Sequence, residues 1–69
     1  MDKDKKNAIK DLIEIRNTGL FNMFMDRKAV MQYANNNNHF SLVAYCGNNR
    51  DKYIALLKED WSEIEEEVK

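Results

Sequence analysis

A chain of 69 residues with no proline and only two glycines, Gly19 and Gly47, has few of the usual means of breaking regular backbone. Its breaks must therefore be read from asparagines, caps and changes of apolar period, and that reading gives three or four helices. In the first, Ile9, Leu12, Ile13 and Arg16 follow the i, i+3, i+4, i+7 spacing of one helix face. Asn17-Thr18-Gly19 then supplies a polar stop with a glycine free to take positive φ, which predicts a helix near residues 4 to 17. Leu20, Phe21, Met23, Phe24 and Met25 form a nearly unbroken apolar stretch without a period, too short for a helix, and read as a buried connector.

Asp26 is placed to cap a second helix, with Ala29, Val30, Tyr33 and Ala34 on one face and an end by about Asn36. The run Asn35-Asn36-Asn37-Asn38 is the strongest break, because asparagine tolerates the left-handed region and satisfies local backbone groups. Ser41 is the expected cap of a short third helix, Leu42 to Cys46, which Gly47-Asn48-Asn49 ends or kinks. The last helix is expected to start near Asn49. Its stripe of Tyr53, Ile54, Leu57, Trp61, Ile64 and Val68 runs on through the tail, with too few heptads to make a coiled coil.

The expected architecture is one all-α domain over residues 1–69, with residues 1–4 and the last few frayed. Its core is expected to hold Ile9, Leu12, Ile13, Phe21, Phe24, Val30, Tyr33, Phe40, Leu42, Val43, Tyr53, Ile54 and Leu57. An apolar content of 43% is too rich for a disordered chain. No apolar run approaches the length of a membrane span and no secretory leader is present, so a cytoplasmic setting is expected, without a membrane partner. The single cysteine, Cys46, fits a reducing compartment and a place in the core. A domain this small supplies only a few kcal/mol from its core, so self-association or a partner would help it.

Charge is distributed unevenly. Residues 1–58 carry ten Lys or Arg against six Asp or Glu, a formal +4, whereas residues 59–69 carry six acids against Lys69, a formal −5. Acids near the C-terminus of a helix oppose its macrodipole, as do Lys3, Lys5 and Lys6 near the start of the first. Local helix stability did not select them. Packing of the first helix against the last would let the two sets compensate. A second reading has Trp61, Ile64 and Val68 dock in a groove of another protein while Glu63, Glu66 and Glu67 steer toward a basic surface. Six acids on one helix are thin support for nucleic-acid mimicry.

The chemistry-bearing residues argue against catalysis. His39 and Cys46 are the sole imidazole and thiol, with six residues between them and no orienting group legible beside either. One Cys and one His fall short of a zinc set unless two chains share a metal, so no metal is expected. Gly19 and Gly47 stand too far apart for a phosphate loop, so no cofactor is expected either. Residues 27–57 read helix, turn, helix, but the segment after the turn, Ser41 to Cys46, is mostly apolar where a DNA reader would offer Arg, Lys, Asn or Gln. Arg27, Lys28, Arg50 and Lys52 could contact phosphates, against the repulsion of the acidic tail.

Arg16, Thr18, Gly19, Asn22, Met23 and Phe24, followed by Val30 to Ala34, Phe40, Leu42-Val43 and Tyr53, carry a resemblance. Over residues 12 to 57 the chain resembles a family of short, uncharacterised proteins encoded by phages and prophages of Gram-positive bacteria, whose pattern sets an Arg-x-Ser/Thr-Gly turn before Asn-Met-Phe. Met25 is an extra residue against that pattern, and the asparagine run replaces a more varied turn. The resemblance implies a phage or prophage origin and no substrate. The expected function is accordingly a non-enzymatic accessory protein that binds a host or defence protein, as an anti-CRISPR-like inhibitor would, with homodimerisation through the aromatic connector also open. The alternative is a small DNA-binding or transcription-modulating module.

Overall fold

The apolar face predicted for the first helix is the centre of the structure. In the computed structural model, which describes residues 3–68 apart from the side chain of Val68, α1 spans Lys3–Asn17 and buries Ala8, Ile9, Leu12, Ile13 and Ile15. Thr18 Oγ1 donates to the Ile15 carbonyl, and Gly19 takes φ +70° where the chain leaves the helix, as expected of that stop. Lys3 and Asp4 are helical, and residues 1, 2 and 69, for which fraying was expected, lie outside the described residues. Four further helices follow, α2 (Arg27–Asn36), α3 (Phe40–Cys46), α4 (Arg50–Leu57) and α5 (Ser62–Val68); α2, α3 and α5 pack on α1, and α4 packs on α3. No strand occurs among the described residues, and the fold is all-α. Among the described residues, no helix is long and apolar enough to cross a membrane.

The turns follow the asparagine and glycine signals. Asn38 adopts φ +64° between α2 and α3, and Gly47 adopts φ +52° at the end of α3, which it terminates rather than kinks. Asn49 caps α4 by accepting the Lys52 N–H at 3.1 Å. Two expected caps are different. Asp26 makes no side-chain cap bond to α2; its carboxylate turns back to accept the Asn22 N–H. Ser41 lies inside α3, one residue past the start, and Asp11 of α1 accepts the Leu42 N–H at 2.9 Å instead. A carboxylate from another helix thus satisfies a free N-terminal amide of α3 and ties the two helices together.

The single last helix expected from Asn49 through the acidic tail is instead two. A straight helix from Arg50 to Val68 would be about 28 Å long, whereas the largest extent of the Cα positions is 26 Å. It would carry Trp61 and Ile64 away from the core. The chain breaks at residues 58–61: the Lys58 N–H is shared between the Ile54 and Ala55 carbonyls, and Asp60 accepts both the Ser62 N–H and the Ser62 hydroxyl. α5 then folds onto α1, where Ile64 is 2% exposed. The break also eases the conflict of charge and dipole, because Glu63 and Glu65 now occupy the first turn of a new helix, the end that favours acids, although Glu66 and Glu67 stay near its C-terminal end.

Six of the expected core residues are fully buried: Ile9, Leu12, Ile13, Val30, Leu42 and Tyr53. Phe21, Tyr33, Val43, Ile54 and Leu57 pack against that core from its edge. Phe24 and Phe40 are corrections, since both are exposed, while Ala8, Ile15, Ala34, Cys46, Leu56 and Ile64 complete the interior.

Candidate interaction surface

The connector between α1 and α2 is not the buried segment that its composition suggests. Phe21 turns inward, meeting Tyr33 edge to face at 5.4 Å between ring centroids. Leu20, Phe24 and Met25, by contrast, are 67%, 61% and 80% exposed. Hydrogen bonds hold them there. Asn22 Oδ1 accepts the N–H groups of Phe24 and Met25, and Asp26 reaches back to the Asn22 N–H at 3.1 Å, the reciprocal arrangement of a capping box. The fully buried Tyr53 donates its hydroxyl to the Met23 carbonyl at 2.6 Å, anchoring the turn to α4. Burial pushes the Tyr53 phenol up to about 12, with nearby Cys46 adding to the shift. Three large apolar side chains are therefore displayed on a turn of settled backbone.

Arg27, Lys28 and Arg50 line one open depression together with Phe24, Met25 and the single acid Asp26. The fourth member of the basic set proposed for phosphate contact is elsewhere: the Lys52 ammonium lies over the Tyr45 ring, 5.4 Å from its centroid. The structure thus gathers Arg27, Lys28 and Arg50 and separates Lys52 from them. Asp26 in the same turn supplied the one sequence signal for this site, as a cap; what it caps could not be read from its spacing.

The tail is arranged differently from a free docking helix. Ile64 is spent on the core, and the Trp61 indole donates Nε1–H to the Leu56 carbonyl at 2.8 Å while Arg16 covers its ring. Arg16 also pairs with Glu65, Lys5 with Glu59, and Lys6 with Glu67 at 2.8 Å. The Lys6 bond holds the Glu67 carboxyl below its usual range, and the Ser62 bonds do the same for Asp60. Trp61, Ile64 and Glu67 are therefore occupied within the chain, whereas Glu63 and Glu66 face solvent. The side chain of Val68 lies outside the described residues.

Cys46 and His39 go separate ways. The thiol is buried among the core helices, and burial, partly offset by Lys52, pushes it up to about 11, the reverse of an activated nucleophile. His39 faces α1 instead, with Nδ1 at 3.3 Å from Asp11 and 3.4 Å from Glu14. No curated protein and no solved structure matches the chain. The family described as Domain of unknown function (DUF5049) matches residues 4–57, from the first turn of α1 to the last residue of α4, and the chain belongs to that family.

Proposed function

We propose that the protein is a non-enzymatic binding module that docks an acidic partner protein on the connector between α1 and α2. The observation that carries this reading is the display of Phe24 and Met25 on a hydrogen-bonded turn beside a basic rim. Leaving them in water forgoes the burial of large apolar groups, about 1.5–3 kcal/mol each, and a clustered apolar patch with a charged rim is the usual form of an interaction site. Arg27, Lys28 and Arg50 select a partner of negative charge. Because the turn is already ordered, docking loses little backbone entropy. The same arrangement suits a phage or prophage accessory protein that acts on a host or defence protein; support for that finer reading comes from the resemblance described above.

The test is retention of a bacterial host's proteins on the immobilised full chain after nuclease treatment, with three variants alongside. Phe24→Ser/Met25→Ser and Arg27→Glu/Lys28→Glu alter exposed or half-exposed groups, and Glu63→Gln/Glu66→Gln alters the outer face of α5. A stoichiometric acidic protein that is lost with the first two variants and kept by the third is the expected result. Loss with the third alone would move the site to α5. Retention of nucleic acid with a steep salt dependence would favour a DNA-binding module built on Arg27, Lys28 and Arg50. Concentration-dependent sedimentation abolished by Phe24→Ser/Met25→Ser would identify a second copy as the occupant.

A further inference from the structure

We infer that Asp11, Glu14 and His39 form a binding site for a divalent transition metal, zinc foremost, on the face of the molecule where α1 meets the start of α3. The three donors come from two places in the chain. Asp11 and Glu14 are three residues apart on α1, which puts both carboxylates on one side of the helix, and the asparagine turn delivers His39 opposite them. One ligand atom from each lies within 4.8 Å of the other two.

The spacings suit a shared ion. His39 Nδ1 stands 3.3 Å from Asp11 Oδ1 and 3.4 Å from Glu14 Oε2. With Zn–N and Zn–O bonds of about 2.0–2.1 Å, the edge of a zinc tetrahedron is about 3.3–3.4 Å, so both spacings already equal the separation of two ligands on one ion. Charge agrees as well: two carboxylates and a neutral imidazole exactly offset a divalent cation's charge, while without a cation the carboxylates repel each other.

The donors are also oriented as metal ligands are. Asp11 Oδ2 accepts the Leu42 N–H at 2.9 Å, leaving Oδ1 turned toward His39. The His39 N–H is bound by the Ala34 carbonyl at 2.8 Å and its ring stacks on Tyr33, so backbone and ring are both held. A bond like the one from Leu42 to Asp11 orients carboxylate ligands in established metal sites. The Glu14 side chain is 57% exposed and free to close the last gap. Three protein ligands leave a fourth position to solvent, the pattern of an open zinc site.

Titration of the full chain with Co²⁺, followed by visible d–d absorption, and with Zn²⁺, followed by calorimetry, tests the assignment. The expected result is saturable 1:1 binding without a thiolate-to-cobalt charge-transfer band. His39→Gln and Glu14→Gln should each weaken it at least ~10-fold. Asp11→Asn separates folding from ligation, because the amide oxygen still accepts the Leu42 N–H while the charge is gone; it should melt near the wild type and lose the metal. Glu63→Gln/Glu66→Gln should bind as the wild type does. Absence of a saturable 1:1 phase, or wild-type affinity in both His39→Gln and Glu14→Gln, would overturn the site.

Discussion

Replacing Tyr53 by Phe isolates a buried bond that ties the displayed turn to the core. The ring is fully buried and phenylalanine refills its space, so no cavity forms and the loss is confined to the hydroxyl that reaches the Met23 carbonyl at 2.6 Å. Losing a buried donor costs the bond and part of the desolvation of its acceptor, about 1–3 kcal/mol. Met23 is half-buried, so water reaches its carbonyl in part and the lower half of that range applies. At about 4–8 °C per kcal/mol for a domain of this size, the midpoint should fall by about 5–15 °C. Thermal unfolding followed by circular dichroism at matched protein concentration measures it, and urea titration should show an unchanged m-value. Amide exchange supplies the local readout: the Phe24 and Met25 N–H groups, held by Asn22 Oδ1, should exchange faster. Asn22→Ala attacks the same turn from the other side, at about 1 kcal/mol, and the double variant should fall short of the sum because both act on one unit. A midpoint within about 2 °C of the wild type, with unchanged exchange at those amides, would refute the idea that Tyr53 holds the turn.

Three other outcomes follow from the packing and the titrating groups. Ile64→Ala should destabilise the protein by about 2–5 kcal/mol, as a buried large-to-small change does, whereas Glu66→Gln on the solvent side should stay within about 0.5 kcal/mol; equal melting of the two would mean that α5 contributes nothing to the core. Stability should decline in alkali. The folded-state values of Cys46 and Tyr53 are raised to about 11 and about 12, so their contribution is complete below the unfolded values near 9 and 10 and is lost as pH rises through the folded ones. Denaturant midpoints that stay level between pH 8 and 11.5 would contradict this. Alkylation of Cys46 by iodoacetamide at pH 8 should proceed only through opening of the fold, slowing in proportion to stability across variants; a rate like that of a free thiol would contradict its burial.

The sequence by itself determined the first three helices, their order and most of their ends, and the start of the fourth. Positions three and four apart on α1 specify which face is buried, and Gly19, Asn38, Gly47 and Asn49 act through local backbone geometry, so each turn was legible where it stands. The Asp60 and Ser62 pair that opens α5 carries a local signal of the same kind, masked by the apolar stripe running across it. Direction was not legible. Phe21 and Phe24 have the same chemistry three residues apart, and only the Asn22 and Asp26 bonds, with Tyr53 arriving from α4, turn one inward and the other out. Trp61 and Ile64 had the pattern of a docking helix, and only the fold back onto α1 shows them used within the chain, because burial of Ile64 depends on a partner helix far away in sequence. Asp11, Glu14 and His39 lie up to 28 residues apart, and no spacing in the chain announces them; the packing of α3 on α1 alone brings their donors together.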